Sequence, residues 1–159
     1  MRICALDQST NKTGYSVFEN GILADYGLLN LSNEKDIDLR LKLMSEKINV
    51  TIQNSQPNLV IFEDISQRNN VKTLIKLSRL QGMIMNICYE QDKDFLIYAP
   101  TTWRSIIGIP QGSKHKRDEL KQMAVDFIQH TYGIQTSDDV AESICIGLAY
   151  LKQHNYKEI

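Results

Sequence analysis

The sequence predicts an α/β fold: a five-stranded mixed sheet, three antiparallel strands then two parallel ones, with helices on its faces. Three observations carry this. Three strand-like segments follow one another within the first 31 residues, and turns that tight force an antiparallel meander. From Ile37 the apolar residues recur at helical spacing. Beyond that, helical and strand-like segments alternate, the order that builds β-α-β units.

Arg2 to Asp7 reads as a buried strand ending in an acid. Thr13 to Phe18 alternates, and Asn20-Gly21 is a strong hairpin signal. Ile22 to Leu31 supplies the third strand. Ile37, Leu41, Met44, Ile48 and Ile52 mark a helix that Pro57 closes. Leu59-Val60-Ile61-Phe62 is continuously apolar, as an interior strand covered on both faces must be, and it too ends in acids, Glu63 and Asp64. A helix over about 70–90, a strand from Phe95 to Ala99 stopped by Pro100, and helices at about 114–131 and 138–153 complete the order β-β-β-α-β-α-β-α-α. The stretch from Gly108 to Lys116 reads as a loop. No boundary divides the chain, and 1–159 is expected to form a single domain.

Composition excludes several classes. At 42% hydrophobic and 23% charged, the chain is ordinary for a globular domain. It has no apolar run of membrane-spanning length, and the apolar N-terminal stretch is too short for a signal peptide. Cys4, Cys88 and Cys145 lie far apart among apolar residues, and His115, His130 and His154 share no ligand spacing. Buried free thiols in a reducing cytosol are therefore expected, not a zinc or redox site.

The acids are more informative. Asp7 and Glu63 each end a strand, and neighbouring parallel strands would deliver both side chains to one sheet edge, where α/β folds place their ligand sites. Asp139 and Glu142 stand at i,i+3 on the last helix, while Val140, Ile144, Leu148 and Leu151 form its apolar side. A bland reading competes: Asp138 and Asp139 suit a helix N-terminus, and Thr136 with Asp139 fits a capping box. Several carboxylates gathered in one site repel, and divalent cations remove that cost. Oxygen ligands without His or Cys select Mg²⁺ or Mn²⁺. Two such ions about 3.5–4 Å apart can activate a water and stabilise the leaving oxygen of a phosphoryl displacement.

Taken in order, Ala5-Leu6-Asp7-Gln8-Ser9-Thr10 with Thr13-Gly14-Tyr15, Arg40-Leu41-Lys42-Leu43, Gln56-Pro57 through Glu63, Leu77 to Gly82, Tyr98-Ala99-Pro100, Ile107-Gly108-Ile109 and Asp139-Val-Ala-Glu142-Ser resemble a RuvC-type Holliday-junction resolvase, of the RNase H-like (retroviral integrase) superfamily. The resemblance spans nearly the whole chain. It implies an RNase H-like fold and a homodimer that nicks four-way DNA junctions with two Mg²⁺ ions, for which Mn²⁺ can substitute, on the four acids Asp7, Glu63, Asp139 and Glu142. Three departures stand out. The family's usual Asp-Pro-Gly-Ser is here Asp7-Gln8-Ser9-Thr10, a form that resembles phage-encoded relatives, for which the host cytosol would be the compartment. Glu142 replaces the usual Asp and adds one methylene. Ser66 stands where bacterial members carry a junction-inserting Phe; a Ser cannot stack on a base, so broad action on forks, flaps and four-way junctions with relaxed sequence specificity is expected.

The net charge of −1 hides an asymmetry. Residues 65–117 hold nine Lys and Arg against three acids, a net of +6, so the remainder carries −7. Arg68, Lys72, Lys76 and Arg79 fall within about 80° on a helix turning roughly 100° per residue, a stripe suited either to phosphates or to a solvated face. Arg104 and the cluster Lys114, Lys116 and Arg117 resemble the family's basic positions near the scissile phosphate, with Lys116 taken as the catalytic cation and its neighbours left open. Trp103 and Tyr98 are expected to pack against the sheet more than to stack on nucleotides. Leu74, Leu77, Gln81, Ile84 and Cys88, with Gly82 permitting close approach, are expected to form the dimer face. Two other readings stay open: an RNase H-like nuclease acting on RNA or RNA–DNA hybrids, and a non-catalytic junction-binding protein.

Overall fold

A computed structural model describes residues 1–66, 70–111 and 114–156 of the chain. Alternation in β1 (Arg2–Asp7) organises everything around it. Ile3 and Ala5 face one layer of the core, and Cys4 and Leu6 face the other. β2 (Lys12–Glu19) and β3 (Ile22–Asn30) fold back antiparallel, with Asn20 and Gly21 both at positive φ in the hairpin turn. β4 (Leu59–Glu63) and β5 (Asp94–Tyr98) add to the other side of β1 in parallel, giving the order β3-β2-β1-β4-β5. This is the expected mixed sheet of three antiparallel and two parallel strands.

Helices cover both faces. α1 (Ile37–Ser55) and α2 (Val71–Glu90) bury Leu41, Met44, Ile48, Ile52, Leu80, Ile84, Ile87 and Cys88 against Cys4, Leu6, Val60 and Phe62. Asp36 caps α1, its carboxylate accepting from the Leu39 N–H at 2.9 Å. On the opposite face lie α3 (Pro100–Ile107), α4 (Arg117–Tyr132) and α5 (Asp138–Gln153). α5 is the central helix of that face and packs on β1 and β2. Gly147 lets it sit close: a Cβ there would stand 2.3 Å from the Phe18 ring.

Four expectations need correction. The sequence reading has no helix between Pro100 and Gly108, yet α3 is there. Pro100 is its N1 residue and Gly108, at φ 85°, its C-cap, so a proline read as a strand stop is also a helix start. The α5 cap is Ser137, whose hydroxyl accepts from Val140, not Thr136. Leu148 is only partly buried, while Ala141, Glu142, Ser143, Cys145 and Ile146 are buried as well, because α5 is enclosed well beyond one apolar stripe. The supposed dimer face of α2 is mostly its core face: Ile84 and Cys88 are fully buried and Leu74, Leu77 and Gln81 half-buried. The side turned to solvent carries Val71, Ile75, Ser78, Gly82, Met83 and Tyr89 instead.

The three cysteines are free and buried, with desolvation pushing the Cys88 thiol up to about 11 and Cys4 up to about 12. Trp103 and Tyr98 pack in the core as expected, the Tyr98 hydroxyl donating to Gln153 Oε1 at 2.5 Å. Among the described residues, no helix is long and apolar enough to cross a membrane.

Candidate active site

The parallel register pairs Leu6 with Phe62, so the next residues, Asp7 and Glu63, leave the sheet side by side at the carboxyl edge. By alternation Asp7 follows Ile3 and Ala5, and Glu63 follows Leu59 and Ile61, onto the face that α5 covers. Asp139 and Glu142 come from the first turns of α5. All four acids line one cleft of about 1100 Å³. Gly14 makes the approach possible: a Cβ on it would lie 2.0 Å from the Asp139 carbonyl oxygen.

Electrostatics bind the four into a unit. Burial, followed by the charges of Glu142, Glu63 and Asp139, holds the Asp7 carboxyl well above the usual carboxylate range. Burial also raises Asp139, helped by Asp138 and Glu142 and opposed by Lys121 and Lys12. Asp138 goes the other way: burial disfavours its charge, but its ion pair with Lys121 outweighs that and lowers its pKa.

Two of the acids also have a partner that fixes them. Trp103 Nε1 donates to Glu63 Oε1 at 2.9 Å, and Arg104 Nη2 donates to Glu142 Oε1 at 2.9 Å. The Gln8 side chain clasps the Glu63 backbone, donating to its carbonyl at 2.5 Å and accepting from its N–H at 3.1 Å. The residue that departs from the family's usual proline thus ties the ends of β1 and β4 together. Asp64 turns toward α2, where Gln81 Nε2 lies 3.4 Å from its Oδ1, although it also borders the cleft.

A divalent cation fits this donor set. The ligands are all hard oxygens, and burial together with the neighbouring acids disfavours the charged form of Asp7, a cost that a cation would remove. Among the described residues, no three His, Cys, Asp or Glu side chains already form a tight ion cage. Glu63 is turned instead toward Trp103, and Glu142 toward Arg104.

The basic residues divide. Arg104, Lys76 and Arg117 line the cleft, as do His115 of the same basic cluster and Lys12, Arg40 and Lys121, which are not among the site residues expected from sequence. Arg104 is not an open cation: its ion pair with Glu142 leaves only 16% of its side chain accessible. Lys116 occupies the α4 N-cap with its N–H on Glu119 Oε2 at 3.0 Å, and its exposed side chain is outside the cleft lining, as is that of Lys114. Lys72 and Arg79 are exposed outside the cleft, and Arg79 borders a groove between α1 and α2. The expected stripe is therefore not one track toward the acids. Arg68 lies outside the described residues. Helical spacing finds stripes but not ion pairs across elements, which is why Lys121 was missed.

Comparison with known proteins decides the family. The model of the family described as "Crossover junction endodeoxyribonuclease RuvC" matches residues 3–148. The chain belongs to the RuvC family. Relatives named crossover junction endodeoxyribonuclease RuvC include one from Finegoldia magna, 24% identical over 162 residues with 99% of this chain and 96% of that protein covered. Another, from Dictyoglomus turgidum, is 26% identical over 156 residues, covering 95% and 96%. In fold the chain is similar to Thermus thermophilus RuvC in complex with Holliday junction substrate, with TM-score 0.74, 13% identity and 98% and 96% coverage. It is also similar to the fowlpox virus resolvase in complex with substrate Holliday junction DNA, with TM-score 0.67, 18% identity and 97% and 99% coverage. The fold is the RNase H-like one. RuvC-family proteins are metal-dependent nucleases, and this member is an endodeoxyribonuclease.

The RuvC site gives a sign for stability without metal. The Asp7 pKa is raised on folding, so its contribution is fully present below its ordinary 3.8 and is lost as pH rises through the folded value. Asp138 is lowered, so its contribution is present above 3.8 and is lost only as pH falls below that, through the folded value. Metal-free protein is thus expected to lose thermal stability as pH rises from the ordinary carboxylate range toward neutrality, and Asp7→Asn to flatten the slope. Thermal unfolding in chelator across that range measures it; a Tm that climbs with pH equally in both proteins contradicts it.

Proposed function

We propose that the chain is a metal-dependent structure-selective endonuclease that resolves Holliday junctions and other branched DNA as a homodimer, with one RNase H-like nuclease domain over 1–159. The observation that supports it most is the meeting of Asp7, Glu63, Asp139 and Glu142 in one cleft of a RuvC-family fold. We assign these four as ligands of two Mg²⁺ ions, with Mn²⁺ able to substitute. When bound, such ions supply a polarised water and charge compensation at the leaving oxygen. The chain's own residues do the rest. β1 and β4 set Asp7 and Glu63 side by side, Gln8 locks those strand ends, and Arg104 braces Glu142. Lys12, Lys76 and Arg117 face the cleft as cations for the DNA backbone. Arg117 fills the place on the cleft wall that Lys116 was expected to take. The exposed side of α2, with Val71, Ile75, Met83 and an open Gly82, is the face for the second copy, replacing the buried stripe named from sequence. Cytosol, a host's if the chain is phage-encoded, is the compartment this reading assigns.

Ser66 is exposed on the cleft rim, where it offers no ring to wedge into a base stack. Cleavage is therefore expected across four-way junctions, forks and flaps, at sites spread over many sequences. Cut-site mapping on junctions of varied sequence checks this, and one sharply preferred tetranucleotide would contradict it. Including RNA–DNA hybrid and single-stranded RNA separates the DNA reading from an RNase one: preference for either RNA substrate would favour the latter.

A further inference from the structure

α3 places two consecutive side chains against two different acids. Trp103 is fully buried, and its Nε1–H donates to Glu63 Oε1 at 2.9 Å. Arg104 stacks its guanidinium over the Trp103 ring, 4.6 Å from the centroid, and reaches Glu142 Oε1 at 2.9 Å. A buried indole N–H needs an acceptor, and here the acceptor is a charged oxygen of the proposed site rather than a backbone carbonyl. The hydrogen bond fixes the Glu63 carboxyl torsion, which is otherwise broad. Packing holds the donor itself: Trp103 is enclosed with Tyr98, Ile107, Ile128 and Ile144 in the core under the cleft. The anchor therefore does not move with solvent, as a surface partner would.

We propose that Trp103 is the positioning residue of Glu63: its indole N–H presets the carboxylate for divalent cations, and the ring senses their arrival. The inference rests on Glu63 as a metal ligand. A hydrogen-bonding partner behind a ligand is worth about 10–100-fold in metal affinity or activity. Trp103→Phe keeps a ring in the core and removes only the donor and one ring's worth of volume. It is expected to raise the Mg²⁺ concentration for half-maximal nicking about 10–100-fold, with kcat largely recovered at saturating Mg²⁺.

Trp103 is the only tryptophan in the chain, which gives a readout that needs no cleavage. Mg²⁺ titrated into the wild-type protein without DNA is expected to shift tryptophan emission saturably, in step with binding heat. Glu63→Gln is expected to lose that shift. Wild-type Mg²⁺ dependence in folded Trp103→Phe overturns the inference and leaves the endonuclease reading intact. So does binding heat without an emission change, a result available even if Trp103→Phe fails to fold. Nicking by Glu63→Gln at the wild-type rate would instead remove Glu63 from the metal site, overturning both the inference and the four-acid ligand assignment.

Discussion

Asp7→Asn is expected to abolish nicking, by about 10³-fold or more, while four-way junction binding persists. Asp7 sits at the centre of the acids, with Glu142, Glu63 and Asp139 all acting on its charge. Losing this carboxylate removes several kcal/mol of charge stabilisation, at about 1.4 kcal/mol per tenfold in rate. The same change removes a like-charge repulsion, so the metal-free variant should be no less stable than the wild type at neutral pH. That pairing distinguishes loss of chemistry from loss of fold. Single-turnover cleavage, gel-shift binding and thermal unfolding on one preparation measure all three. Wild-type nicking, or a variant that is inactive because it is unfolded, contradicts the assignment.

Gly14→Ala is the second large effect, and it acts through backbone. The new Cβ would stand 2.0 Å from the Asp139 carbonyl oxygen, 2.3 Å from its carbon and 2.7 Å from the Val140 nitrogen. No rotamer relieves a clash with three backbone atoms, so α5 must move off β2. Overpacking of this kind costs about 1–3 kcal/mol, or more when backbone has to shift. The segment that moves carries Asp139 and Glu142. A misplacement of about 1 Å can cost about 10²-fold in rate, so activity should fall beyond what the lost stability accounts for at temperatures where the variant stays folded. Denaturant unfolding and cleavage at low temperature test this; wild-type stability with wild-type rate would show that α5 does not approach β2 in this way.

The sheet and its order were legible because each strand carries its own signal. Asn20-Gly21 announces the hairpin, and the two-sided burial of β4 leaves a run of four apolar residues. The convergence of the four acids on one cleft was legible because strand ends and an i,i+3 helix pair fix direction from sequence alone. What stayed hidden depends on contacts across elements. The helix α3 is eight residues long and begins at a proline, so the same residue serves as a stop and a start. Trp103, Ile106 and Ile107 at helical spacing, closed by Gly108, were the available signal. The side of α2 that faces the sheet could not be chosen from periodicity, since both stripes are apolar enough. The roles of Gln8, Gly14 and Lys121 are invisible until β1, β2, β4, α4 and α5 are assembled, because each acts on a residue far away in sequence.

The most direct test of the account is cleavage of one four-way junction, one fork and one linear duplex by the wild-type protein, in Mg²⁺ and in chelator. The account predicts nicks in the four-way junction and the fork that appear with Mg²⁺, vanish in chelator, and leave the linear duplex intact. Equal cleavage of all three substrates, or junction nicking that persists in chelator, would contradict it.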